Sequence, residues 1–191
     1  MTTLFDAEAP AATTAPGPGP LRVLGLDLSL TATGICLTDG STLTIKTRQK
    51  DGDRRLVHIA DALTSMIGDG STVDVAVIED LPKHAMAAGI TGMVHGVARA
   101  VLLRAGIPYA LVVPATLKAF ATGKGAGDKT PMVMAAYKRA GREFGDDNQC
   151  DAFWLRAAGL DWYGQPEFDL PKAQRERLAK VAWPAREAVQ R

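Results

Sequence analysis

The sequence predicts an α/β layer fold with one central sheet covered by helices on both faces. Three observations predict it. Strongly apolar runs of five to eight residues recur along the chain, as buried strands require. Stretches with apolar residues at helical spacing separate them. The early strands include a hairpin, marked by Asp39-Gly40 between β-prone runs, ahead of the strands that alternate with helices.

The elements follow in order. Residues 1–20 (MTTLFDAEAPAATTAPGPGP) are Ala-, Thr-, Pro- and Gly-rich and are expected to be disordered, because they cannot bury enough surface to offset chain entropy. One folded domain is expected over 21–163, with a polar, partly helical tail over 164–191. Leu21–Leu28 reads as a buried strand, and Thr33–Thr38 and Thr42–Thr47 as the hairpin that follows. Leu56, Ile59, Ala60, Leu63 and Ile67 recur at helical spacing, which predicts a helix over Arg54–Ile67. Val73–Glu79 is a strand. Ala85–Ala105 is a helix whose Gly89, Gly92 and Gly96 lower its intrinsic stability but admit a second helix, such as one from another subunit. Tyr109–Val113 is a short strand, and Pro114–Ala121 a short helix with Pro at its start. TGKGAGDK is a glycine-rich loop, and Lys129–Ala140 and Asp147–Leu160 are helices. In the tail, Pro171–Val181 has helical character; six basic and four acidic residues from Pro166 onward suit a solvated helix or an accessory DNA or subunit contact.

The 191 residues are 47% apolar and 23% charged, with a formal net charge of +1, so total charge implies no polyanionic partner. Charge is unevenly spread, however. Between Arg99 and Arg139 there are seven basic residues against one acid, Asp128, an excess able to contact phosphate locally. Cys36 and Cys150 have no metal-type spacing and read as reduced core thiols of a cytoplasmic protein. No signal peptide is visible, and no uncharged apolar run approaches the roughly 18 residues that would span a membrane.

The chemistry-bearing pattern is a set of acids at element ends. Asp27 closes the first apolar strand and Glu79 closes the fourth. Adjacent strand ends would set the two carboxylates side by side, a costly arrangement unless one is protonated or a cation neutralises both. Asp146, Asp147 and Asp151 form a third group at the start of the last long helix. There Asp147 and Asp151 are four apart, and Asn148 and Asp151 three apart, so either pair shares a helix face. Oxygen donors of this kind favour Mg²⁺ or Mn²⁺, and two such ions can cut a phosphodiester. All but Asp151 also have an ordinary use: Asp27 in the following turn, Glu79 paired with Lys83, Asp146 and Asp147 as helix caps; Asp151 lies one turn into a helix among apolar neighbours. Their joint placement favours the metal site.

Four segments in this order, VLGLDLSLTATGICL, VAVIEDLP, VPATLKAFATGKGAGDKTPMVMAAYKRAG and DDNQCDAFWLRAAG, resemble the RuvC-type Holliday-junction resolvases, in particular the divergent RuvC-like endonucleases of bacteriophages. The resemblance covers about residues 22–160. It implies a ribonuclease-H-like fold with a five-stranded mixed sheet, a homodimer, and nicking of branched DNA with two Mg²⁺ or Mn²⁺ ions per site. It implies that Asp27, Glu79 and Asp151 are the carboxylates of that site. It also implies that Lys118 and Lys129, with Lys124 beside them, contact DNA around the glycine-rich loop. The family pattern has two acids three apart on the last helix; here the earlier position is Asn148, with Asp147 beside it. Either could complete the metal shell.

Other readings are weaker. GKGAGDKT is not a phosphate-binding P-loop, because Asp128 stands where the pattern requires Gly before the Lys-Thr pair, so no nucleotide cofactor is expected. An actin-like or sugar-kinase-like ATPase shares the DLSLTATG turn but needs a second lobe, for which this length has no room. A module that binds branched DNA without cutting it is kept open by Asn148. His58 and His95 read as ordinary surface or partly buried residues; His84, close after Glu79, is the one histidine near the acids in sequence. Trp154, Trp162 and Trp183 read as packing residues.

Overall fold

The computed structural model describes residues 19–81, 88–125 and 130–189. The N-terminal segment 1–18, Lys83, His84, Asp128 and Lys129 lie outside the described residues.

Five strands form one mixed sheet in the order β3-β2-β1-β4-β5. They are β1 (Val23–Asp27), β2 (Ala32–Cys36), β3 (Thr42–Lys46), β4 (Val75–Glu79) and β5 (Tyr109–Val112). The opening three strands pair antiparallel, and β1, β4 and β5 run parallel. The helices are α1 (Arg54–Ile67), α2 (Ala88–Arg104), α3 (Pro114–Thr122), α4 (Thr130–Ala140) and α5 (Asp147–Trp162). The strands and helices expected from sequence up to Leu160 are all present, with ends shifted by a residue or two where the described residues reach them. This is the five-stranded mixed sheet with helices on both faces.

The two layers follow from strand alternation. Leu24, Leu26, Ile35, Ala76 and Ile78 point to one side and pack on Ile59, Leu63 and Ile67 of α1 and on Val94, Ala98 and Leu102 of α2. Val23, Cys36, Val75, Val77 and Val112 point to the other and pack on α3, α4 and α5. Trp154 of α5 is fully buried there and donates its indole N–H to the Met132 carbonyl at 3.1 Å. Cys36 and Cys150 are both buried, and burial pushes the Cys36 thiol up to about 12. Among the described residues no helix is long and apolar enough to cross a membrane.

α5 lies unusually close to the sheet because glycine stands at its contact points. A Cβ at position 25 would run into the Ala152 carbonyl oxygen, and one at position 34 into the Asn148 backbone. Further along, a Cβ at position 159 would come within 2.8 Å of both Val23 and Val77. α5 therefore runs antiparallel to β1, with its first turn over the C-terminal ends of the central strands.

The C-terminal segment departs from the sequence reading. A short helix, Lys172–Arg175, continues into a 3₁₀ turn over Glu176–Lys180, in place of one solvated helix. Leu170, Leu178 and Val189 are buried in the same core as α5. Gln174 is buried and donates to the Phe120 carbonyl at 3.0 Å, and Tyr163 donates its hydroxyl to the Pro184 carbonyl at 2.8 Å. The segment packs as part of the domain because its few apolar residues cover the outer side of α3 and α5. Its charges sit between those anchors.

Adding a methyl group at position 25 or 34 pushes backbone against backbone, which no rotamer change relieves. Gly25→Ala and Gly34→Ala are each expected to lose about 1–3 kcal/mol of stability or more, read as a lower urea midpoint.

Candidate active site at the sheet edge

Strand register puts the first two acids together. β1 and β4 pair from Val23↔Val75 to Leu26↔Ile78, so the next residues, Asp27 and Glu79, stand level on neighbouring strands. Val23 and Gly25 face α5, as does Val77. By alternation Asp27 and Glu79 leave the sheet on that same side. Asp27 is almost buried, at 9% exposure, and Glu79 is half-buried.

The third group arrives with α5. Asp27 pairs with Gly34 of β2, and Asn148 rests its backbone on Gly34. Asp151 follows one helical turn later, just before Ala152, whose carbonyl packs over Gly25. Both are half-buried, whereas Asp147 is exposed. It lies about 100° round the helix from Asn148. The backbone thus gathers Asp27, Glu79, Asn148 and Asp151 at one edge of the sheet and leaves Asp147 on the outer side of the turn.

Asp146 has a different role. It is the N-cap of α5, and its carboxylate accepts from the Gln149 amide at 3.1 Å and from the Thr44 hydroxyl at 2.7 Å. Gln149 in turn donates to Thr44 at 3.1 Å and accepts from the Thr42 hydroxyl at 3.2 Å. These bonds pin the first turn of α5 to edge strand β3. Burial opposes the charge on Asp146, but the Thr44 and Gln149 bonds outweigh it and hold the carboxyl below its usual range. Thr42, Thr44 and Gln149 were not singled out from sequence; only the pairing of β3 beside the helix gives them this use.

The basic candidates lie on the β5 side. β5 leads directly into α3, where Lys118 is half-buried, and α3 ends at Gly123, whose φ of +83° suits glycine. Lys124 follows, exposed, its amide donating to the Thr122 hydroxyl at 3.2 Å. Among the histidines, His58 is exposed as expected. His95 is not a surface residue: it is 3% exposed on α2, where burial, followed by the neighbouring Arg99, lowers its pKa.

The donor set at the edge consists of carboxylate and amide oxygens, the ligands that Mg²⁺ and Mn²⁺ prefer. Its chemistry fits such an ion. As the side chains stand, no group of three or more His, Cys, Asp or Glu among the described residues could hold a metal. The backbone converges; the carboxylates do not close into a cage by themselves.

Comparison with known proteins agrees with this layout. The chain is 31% identical over 123 residues to the crossover junction endodeoxyribonuclease RuvC of Salinispora arenicola (strain CNS-205), spanning 59% of this chain and 70% of that protein. It is 33% identical over 130 residues to the enzyme of the same name from Paenarthrobacter aurescens (strain TC1), spanning 62% and 68%. The chain belongs to the RuvC family. No family model matches it. Among solved structures, it resembles Thermus thermophilus RuvC in complex with Holliday junction substrate, with a TM-score of 0.63 at 17% identity over 76% of this chain and 97% of that one. A second Thermus thermophilus RuvC structure gives a TM-score of 0.61 at 16% identity, over 76% and 98%. These likenesses establish the RuvC, ribonuclease-H-like fold.

Asp146→Ala removes the cap of the helix that carries half of the candidate site. About 1 kcal/mol of stability should be lost at neutral pH. A carboxyl held low in the folded state stabilises above its unfolded pKa and ceases to do so as pH falls through its folded one. The gap between wild type and variant should therefore close on acidification through that window, as followed by urea denaturation at a series of pH values.

Proposed function

We propose that this RuvC-family chain is a metal-dependent endonuclease that nicks branched DNA, such as a Holliday junction. The cutting site on this reading is the edge bounded by Asp27, Glu79 and the first turn of α5. The observation that carries it is the register of β1 with β4, which ends two neighbouring strands on acids beneath that turn. The named relatives are crossover junction endodeoxyribonucleases, and a solved relative of the same fold holds a Holliday junction, which supports the substrate class.

Two carboxylates on adjacent strands repel, and a divalent cation between them relieves the repulsion. Bound there, Mg²⁺ or Mn²⁺ ions, two per site by the family pattern, would supply the charge that activates water and offsets the leaving 3′-oxygen. Asp27 stands between β2 and β4 and is the donor that both halves of such a site would share. Glu79 serves the β4 side, and Asp151 the helix side. Asn148 adds an amide oxygen without charge, and exposed Asp147 reaches the site only around the helix. With three carboxylates near the edge, the ion is held by less negative charge than with four.

Lys118 and Lys124, and Lys129 beyond the described residues, would then contact backbone phosphates of the bound arm, each adding to the salt dependence of binding. A four-way junction has two equivalent strands to cut, so the active form is a homodimer on this reading. The exposed face of α2 suits a second copy: Ile90 and Met93 are 54% and 42% exposed, and Gly89 and Gly96 have open space where a side chain would lie. Sedimentation of the full chain is expected to give a dimer, and Met93→Glu to shift it toward monomer.

With a labelled four-way junction and Mg²⁺ or Mn²⁺, wild type should give paired nicks and Asp27→Asn at least 100-fold less product, since the shared ligand loses its charge. Asn148→Asp should lower the metal concentration needed for half-maximal rate. Nicks that survive Asp27→Asn would refute the site. Tight junction binding without product at any metal concentration would favour a binding module, the reading that the uncharged Asn148 supports.

A further inference from the structure

The charge excess at 99–139 has a counterpart on the opposite side of the sheet edge. Lys46, Arg48, Arg54, Arg55 and His58 line one hollow with Thr47 and a single acid, Asp51. All but Arg55 among these basic residues are exposed, and Arg55 is half-buried.

The sheet fixes where this hollow lies. β3 runs parallel to β1 because each is antiparallel to β2. Asp27 pairs with Gly34, and Gly34 with Thr44, so Lys46 stands two residues beyond the level of Asp27. The hollow opens at the same edge as the carboxylates, displaced to the β3 side by about 10 Å at ordinary strand spacing. Lys46 is also near enough to the α5 cap for its charge to act on the Asp146 carboxyl.

Folding accounts for only part of this cluster: Arg55 donates to the Gly52 carbonyl at 2.9 Å, just before α1. Arg54 and Arg55 open α1, whose first turn contains no acid and whose N-cap, Asp53, makes no side-chain cap bond. The positive pole of a helix disfavours cations in that turn. Arg48 pairs with Asp51 at 3.1 Å in the open, where an ion pair adds little stability. A cluster that works against its local electrostatics is explained by an anion it receives.

We propose that Lys46, Arg48, Arg54 and Arg55 form a second DNA-backbone contact, gripping a duplex arm on the β3 side while Lys118 and Lys124 lie on the β5 side. This rests on the DNA-cutting reading above. The edge from β3 to β5 spans about 19 Å, and the 10 Å between Asp27 and the hollow corresponds to about six phosphate charges of duplex DNA. One arm can therefore meet the carboxylates and the cluster together.

Affinity of the full-length chain for a labelled four-way junction, measured in EDTA across a salt series, tests the proposal. Arg48→Gln/Arg54→Gln is expected to flatten the log–log salt slope by about 1.8 and to weaken binding about 10-fold near 0.1 M salt. Its melting temperature should be unchanged or slightly higher. Arg54→Glu should weaken binding further, again with no loss of Tm; a merely structural arginine would lower Tm and spare the slope. Slope and affinity equal to wild type in both variants, with the junction still bound, overturn the contact and leave the nuclease reading standing. A wild-type chain that binds no branched DNA overturns both.

Discussion

The close seating of α5 on the sheet is the constraint on which the other features depend. A helix normally stands off a sheet by the depth of its side chains. Here Gly25 and Gly34 remove the side chain from the sheet and Gly159 removes it from the helix, so backbone meets backbone at the first two positions. The approach sets the depth of the first turn, and that depth brings Asn148 and Asp151 down to the level at which Asp27 and Glu79 leave their strands. Pinning by Asp146 and Gln149 to Thr44 and Thr42 then fixes the rotation of the turn. A helix that was one methyl group higher would leave the strand-end acids and the helix acids as separate features.

Charge along this edge is ordered from side to side. Acids occupy the centre, at the ends of β1 and β4 and over them on α5. Cations occupy both flanks, on β3 and the start of α1 at one side and on α3 and the loop after it at the other. The sum over the chain is close to zero, yet positive side chains stand on either side of the central acids. On the proposed reading, a uniform charge of either sign would serve either cation binding or backbone contact and oppose the other. The positive pole of α5 also faces the central acids and lowers the cost of gathering them.

The far side of α3 and α5 is closed by the C-terminal segment, through Leu170, Leu178 and Val189 and the buried Gln174. Buried Arg156 links this cover to the hairpin, bonding Glu167 at 2.6 Å and the Thr38 carbonyl at 3.0 Å. The helix that carries half of the candidate site is thus held between the sheet and a cap from the end of the chain. Its position is set by packing on both sides rather than by its own propensity.

The elements were legible in the sequence because each is a local property. Alternation and apolar runs marked the strands, and the spacing from Leu56 to Ile67 marked α1 to the residue. The acids stood out because a carboxylate ending an apolar strand is a local contradiction. Three things required the tertiary structure. Gln149, Thr42 and Thr44 look like ordinary polar residues until β3 is laid beside α5. The tail looked solvated because its buried residues are few and widely spaced, and only their partners on α3 and α5 show that they are core. His95 and the cluster from Lys46 to Arg55 depend on which faces the fold covers and which edge it leaves open. Sequence alone determines where a residue lies along its own strand or helix, since that period is built into the backbone. Which distant residues then meet is decided by packing of one element on another.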